Sequence, residues 1–159
     1  MNPPPPALDC AHVIEFAIAD ETVIFEQRKT LNVGGEWLGR VPCLAICQNF
    51  DNAEFLVFHC NLEWEALGVA AGYVSIEDAK QKMERSYDGL FAKWKVANYS
   101  RDDAVTYVDA QFKAQSCSFC GRNLRQVKSM AGDETDKVRI CNNCVDGFYE
   151  RMHREFNET

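Results

Sequence analysis

Two pairs of cysteines near the C-terminus constrain the fold of this chain more than any other feature of its sequence. Cys117 and Cys120 form one C-x2-C pair, Cys141 and Cys144 form a second, and twenty residues separate the two pairs. The separation is long enough for a hairpin that brings the pairs together, and four thiolates in a tetrahedron suit zinc. The spacing therefore predicts one zinc ion per chain. Since protein atoms fill all four positions, the site is expected to be structural and not catalytic.

Apolar residues after Cys144 recur at the spacing i, i+3, i+4, i+7 and i+11, which predicts an amphipathic helix that starts at the second pair. They are Val145, Phe148, Tyr149, Met152 and Phe156. A module this small cannot cover such a stripe by itself, so bound metal is expected to supply much of its folding free energy. The stripe is predicted to be a dimer or docking surface.

Three segments of this region resemble a known family. CSFCG at 117–121, KSMAG at 128–132 and ICNNCV at 140–145 are similar, in this order, to the zinc-binding domain of ClpX, the AAA+ unfoldase of bacterial Clp proteases. The resemblance covers roughly residues 115–159. It implies that the four cysteines bind zinc in a treble-clef-like module, and that the module dimerises and recognises adaptors and some substrates.

The sequence departs from that family in two places. Residues 133–136, Asp-Glu-Thr-Asp, stand where the family has a shorter Pro-Gly turn, and no G-x-x-x-x-G-K-[ST] phosphate loop occurs in the chain. An unfoldase activity is therefore not expected.

The front part of the chain, residues 8–112, is predicted to be an acidic domain built mainly from antiparallel strands. Residues 13–19 and 22–27 are β-rich and predict one hairpin, with Phe16 roughly opposite Phe25. Residues 41–49 and 54–60 predict a second hairpin around a turn at 51–52.

Two helices follow in the predicted front domain. Ser75 with Asp78, and Ser100 with Asp103, are spaced as N-caps, and alternation over 90–96 predicts a half-exposed strand between the helices. The predicted fold class is thus α+β: a mostly antiparallel sheet with two helices in 8–112, followed by the small treble-clef-like zinc module in 115–159.

The net charge of −7 lies in the front part of the chain. Residues 1–116 hold 10 basic and 17 acidic residues, whereas residues 117–159 hold 7 of each. This distribution argues against nucleic acid or an anionic membrane as the main partner. Since we see no signal peptide and no apolar run long enough to span a membrane, we expect a cytoplasmic protein.

Four further cysteines lie in the front domain. Cys43 and Cys60 are predicted to lie opposite each other in the second hairpin, with Cys47 on the same face. Together with Cys10 they are expected to be buried thiols; a metal or redox site is the alternative. His12, His59 and His153 are isolated and are expected to be structural or solvated, and no catalytic residue is assigned.

We interpret the sequence as a non-enzymatic, adaptor-like interaction protein that forms a homodimer. Its partner is expected to be a protein, either a Clp-type chaperone or protease component or a toxin, bound by front-domain residues such as Trp37, Glu63 and Glu65. One alternative is an immunity or antitoxin-like protein that masks a toxin. Another is a small enzyme with a zinc appendage, and a zinc-ribbon nucleic-acid binder is disfavoured by the charge.

Overall fold

The architecture is taken from a computed structural model, which describes residues 2–29, 31–52, 54–133, 135 and 137–157. The chain divides into two compact units, Met1–Tyr107 and Val108–Thr159.

The first unit contains ten strands in the described residues. In chain order they are β1 (Ala7–Leu8), β2 (Ala11–Ile18), β3 (Ile24–Phe25), β4 (Asn32–Val33), β5 (Glu36–Trp37), β6 (Cys43–Asn49), β7 (Phe55–Cys60), β8 (Ala66–Tyr73), β9 (Tyr87–Asp88) and β10 (Lys95–Val96). Six of them form an antiparallel sheet with the order β1-β2-β6-β7-β8, and β10 also pairs with β2. Strands β3 and β9 pair with each other, and β4 and β5 form a separate hairpin.

Strand β6 is buried on both faces of the sheet, which explains its continuous apolar run. Leu44 and Ile46 belong to one core cluster and the intervening Ala45 belongs to the other. This division follows from the two-residue period of a strand. The first cluster includes Met83 and Tyr87, and the second includes Phe58, Trp64 and the three thiols of Cys43, Cys47 and Cys60.

The second hairpin is formed as predicted, with Cys43 paired with Cys60 across β6 and β7. The predicted caps are also present. Ser75 Oγ accepts the backbone N–H of Asp78 at 3.1 Å, and Ser100 Oγ accepts that of Asp103 at 3.1 Å. Each serine therefore satisfies an otherwise unpaired amide in the first turn of a helix.

The first predicted hairpin is wrong. Phe16 in β2 lies opposite Ala45 on one side and Lys95 on the other, whereas Phe25 in β3 pairs with Tyr87. The Asp20 carboxylate accepts the backbone N–H of Thr22 at 3.0 Å, an Asx turn that redirects the chain away from β2.

The strand predicted over 90–96 is largely replaced by a 3-10 helix, Phe91–Lys93, followed by the two residues of β10. The carboxylate of Glu84 explains this difference. It accepts the backbone N–H groups of Gly89 at 2.9 Å and Phe91 at 2.6 Å, and so holds the segment in a turn.

The described residues contain three α-helices, whereas the fold-class prediction counted two; the third is the helix predicted after the second cysteine pair. They are α1 (Ile76–Glu84), α2 (Arg101–Ala114) and α3 (Asn142–Asn157). The second unit adds a two-stranded hairpin, β11 (Met130–Gly132) with β12 (Arg139–Cys141). Among the described residues, no helix is long and apolar enough to cross a bilayer.

Candidate metal centre

The four C-terminal cysteines converge on one point of the second unit. The Sγ atoms of Cys117, Cys120, Cys141 and Cys144 all lie within 4.8 Å of one another. Cys117 Sγ is 3.8 Å from Cys144 Sγ, and Cys120 Sγ is 3.6 Å from Cys141 Sγ. A tetrahedral zinc ion with Zn–S bonds of ~2.3 Å has sulfur–sulfur edges of ~3.8 Å. The observed separations therefore fit a zinc tetrathiolate.

The local electrostatics favour a thiolate at the first ligand. Burial by itself raises the pKa of Cys117, but hydrogen bonds from the backbone N–H groups of Cys141, Phe119 and Cys120 oppose it and bring the pKa to about 6. Burial, together with contacts to the other three thiols, raises the pKa of Cys144 to about 12. Four adjacent thiolates repel one another, so the fully deprotonated set requires a bound cation.

Hydrogen bonds within the first cysteine pair's own turn and to β12 position that pair. Gly121 has φ +72°, a conformation that favours glycine, and its N–H donates to Cys117 O at 2.9 Å. Ser118 is tied to β12, because its N–H donates to Arg139 O at 2.8 Å and its Oγ accepts the Arg139 N–H at 3.0 Å. The hairpin of β11 and β12 thus brings the first pair beside Cys141.

Asn142 positions the second pair and was not singled out by the sequence analysis. Its Oδ1 accepts the backbone N–H groups of Lys128 at 3.1 Å and Ser129 at 3.3 Å, and its own N–H donates to Ser129 O at 3.1 Å. Asparagine at the first position of α3 is a recognisable capping signal. Here, however, the side chain accepts hydrogen bonds from the loop before β11 and not from its own helix. The spacing of residues in the sequence does not indicate that role.

The arrangement defines a closed structural metal site. When zinc is bound, Cys117, Cys120, Cys141 and Cys144 hold it and leave no open coordination position. The ion would cross-link the first pair, the end of β12 and the first turn of α3. Over the described residues, no other group of three or more histidine, cysteine or acidic side chains has a metal-binding geometry.

The predicted apolar stripe lies along α3. Val145, Tyr149 and Met152 are 46%, 64% and 59% exposed. Phe148 is partly buried and packs edge-on against Phe119, with ring centroids 5.3 Å apart. Phe156 is within α3, but its side chain lies outside the described residues.

The predicted partner-binding residues of the first unit are at its surface. Trp37 is 48% exposed on β5. Glu63 and Glu65 are exposed in the turn between β7 and β8, on either side of the buried Trp64. The carboxylate of Glu65 accepts a hydrogen bond from Asn61 Nδ2 at 2.7 Å.

The expected burial of the front-domain thiols is confirmed for three of them. Cys43, Cys47 and Cys60 are fully buried, and Cys10 is partly exposed. Burial raises the pKa of Cys43 to about 11 and that of Cys60 to about 12, so both are protonated at neutral pH.

The folded ligand set and its hairpin and helix define a four-cysteine zinc module. Comparison with known proteins agrees: the family model described as the ClpX C4-type zinc finger matches residues 115–154. The module therefore resembles the zinc finger of ClpX and holds one structural zinc per chain. No curated protein matches the chain, and no solved structure matches it.

Proposed function

We propose that this chain is a non-enzymatic, adaptor-like interaction protein that dimerises through α3 of its zinc module. The observation that carries the proposal is the exposed apolar stripe of α3, defined by Val145, Tyr149 and Met152. Large apolar side chains grouped on one helix face typify a protein contact. A closed zinc site supports folding but not turnover, which is consistent with a binding role.

A second copy of the chain is the occupant that the charge pattern favours. Residues 117–159 hold equal numbers of basic and acidic residues, 7 of each, so two copies of this segment carry no net charge to repel each other. In a two-fold dimer, both partners use the same surface patch. One apolar stripe on each chain is therefore enough to form the interface. Dimerisation is also what the resemblance to the ClpX module implies.

The oligomeric state of the zinc-loaded full chain tests the dimer. Light scattering should give twice the chain mass at tens of micromolar, and Tyr149→Glu should shift it to the monomer because a charge would be buried at the interface. Gly147→Glu is the matched control. It adds the same charge to the opposite face of α3, where a new Cβ has no heavy atom within 4 Å.

A monomer mass for the unaltered protein would refute the dimer. Equal loss of dimer in both variants would show that the added charge acts in the same way on either face of α3. The apolar stripe would then be excluded as the dimer interface.

The first unit is proposed to bind a protein partner through an acidic surface with Trp37 as an apolar anchor. Trp37 supplies exposed aromatic area, and Glu63 and Glu65 supply charge that tunes association rate and partner choice. The partner class that the zinc module favours is a Clp-type chaperone or protease component, and a basic toxin is the alternative. Complete burial of Cys43 and Cys60 supports a binding function over thiol chemistry.

Binding of the immobilised full chain to a purified Clp ATPase tests this assignment. We expect Trp37→Ala to weaken binding severalfold through faster dissociation, and Glu63→Lys to slow association in a salt-dependent way. Glu21→Lys makes the same charge change at another exposed position and should have a smaller effect. Equal binding by all variants would exclude this surface, and capture of a purified toxin in place of the ATPase would favour the immunity-type alternative.

A further inference from the structure

The first unit contains a cavity of about 580 Å³ that neither the zinc module nor the proposed protein contacts use. This volume lies within the 300–1,000 Å³ typical of small-molecule sites. Its apolar wall includes Ala70, Tyr73 and Met83, from the end of β8 and from α1. Such a wall suits an apolar ligand body.

His59 supplies a polar group to the same cavity. The residue is only 7% exposed, and its Nδ1 is buried without a hydrogen-bond partner in the described part of the chain. A buried imidazole nitrogen without a partner is costly, and such groups in native proteins usually have a functional explanation or a bound water or ion. Burial lowers the pKa of His59 to about 4, so the ring is neutral at pH 7 and carries one N–H donor.

A smaller cavity of about 20 Å³ shares His59 in its lining. It has room for about one water molecule, which can satisfy one ring nitrogen. His59 lines the larger cavity as well, so a ligand there can reach the imidazole.

Three cations line the larger cavity, although the chain as a whole is acidic. Arg28 forms an ion pair with Glu26, and Lys82 forms one with Asp78 at 2.9 Å. Arg85 has no acidic partner within ion-pair distance among the described residues; its charge influences Asp78 only at longer range. One positive charge is therefore left without a direct counter-ion at the cavity.

We propose that this cavity binds a small monocarboxylate with an apolar body. The carboxylate accepts a hydrogen bond from the His59 imidazole and pairs with Arg85, while the body packs on Tyr73 and Met83. A single uncompensated cation matches a monoanion better than a phosphate dianion. Binding here is independent of the zinc module, so failure of this proposal leaves the dimer proposal unaffected.

Titration of the zinc-loaded full chain with octanoate tests the proposal, with 1-octanol as the neutral probe of the same length. We expect octanoate to saturate and to bind at least tenfold more tightly than 1-octanol. It should also shift the ring resonances of His59, which can be assigned by comparison with His12→Gln and His153→Gln because the chain has 3 histidines.

Arg85→Gln provides the matched variant, since Arg85 is exposed and its replacement does not threaten the core. We expect it to weaken octanoate binding about fivefold and to leave 1-octanol binding unchanged. Lys95→Gln removes a cation of the same unit that does not line this cavity and should behave as the unaltered protein does. Equal affinity for the two probes, an unmoved His59 resonance, or equal weakening by the two variants would each overturn the proposal.

Discussion

The Oδ1 of Asn142 accepts the backbone N–H of Lys128 at 3.1 Å, and so links the first residue of α3 to the loop before β11. We predict that Asn142→Ala lowers the zinc affinity of the full chain about fivefold, because a hydrogen bond of this type contributes ~1 kcal/mol to the metal-bound fold. Competition with a chromophoric chelator measures the change. Glu150→Ala, on the exposed side of α3, is the control, and an equal loss in both variants would contradict the positioning role.

Removing zinc should unfold the second unit and spare the first. Both core clusters of the first unit consist of residues before 100, and none of the four ligands belongs to either. We therefore expect Cys141→Ser, or treatment with a strong chelator, to abolish the helical signal of α3 and to leave most front-domain amide resonances in place. Metal analysis of the unaltered protein should give one zinc per chain. An ordered module without metal would refute the assignment.

Gly147→Ala should stabilise the zinc module. Glycine within a helix costs ~0.5–1 kcal/mol relative to alanine, and a Cβ at Gly147 would meet no heavy atom within 4 Å. The gain should appear as a higher melting temperature of the module or a severalfold higher zinc affinity. Gly121→Ala is the contrasting variant, since φ there is +72°. A loss of stability in Gly147→Ala would contradict this prediction. It would show that another molecule, such as a second copy of the chain, occupies the space beside Gly147.

The first unit should lose stability when the pH falls below the pKa of a free histidine side chain. Burial lowers the pKa of His59 from 6.5 to about 4, so the unfolded chain binds the proton more readily than the folded one. The stabilisation is complete above pH 6.5 and declines as the pH falls towards 4, by up to ~3 kcal/mol. Urea unfolding followed by tryptophan fluorescence measures it, because Trp37, Trp64 and Trp94 all lie in this unit.

His59→Gln provides the comparison for that measurement. Its stability should change little between pH 6.5 and 4, since glutamine does not titrate. The hydrogen-bonded carboxylates of Asp78 and Asp103 have pKa values lowered from 3.8, so the stability they contribute is present above pH 3.8 and is lost mainly as the pH falls below it. Parallel curves for the two proteins between pH 6.5 and 4 would contradict the assignment to His59.

The features that local spacing encodes were predictable from the sequence. The ligand set follows from two C-x2-C pairs, and the pairing of Cys43 with Cys60 follows from a hairpin with a turn at 51–52. In each case the interacting residues are joined by a short connection, so sequence distance specifies the geometry.

Features that join distant segments were not predictable in the same way. Phe25 pairs with Tyr87, more than sixty residues further along the chain, and no local pattern selects that partner over the nearby β2. The cavity next to His59 combines Arg28, a residue of β7 and the end of α1. Only the folded sheet brings these three segments together, so His59 appears isolated in the sequence.

Because the eight cysteines lie in three different environments, the number of thiols that react with an alkylating reagent depends on the state of the chain. Three thiols are sealed in the core, four belong to the zinc cluster, and Cys10 alone is a partly exposed thiol outside both sets. Mass spectrometry after brief alkylation should accordingly find one label on the zinc-loaded protein, five after chelation and eight after denaturation. The relative amounts of these three labelled species in one intact-mass spectrum would then give the fraction of chains that have lost zinc and the fraction that are unfolded.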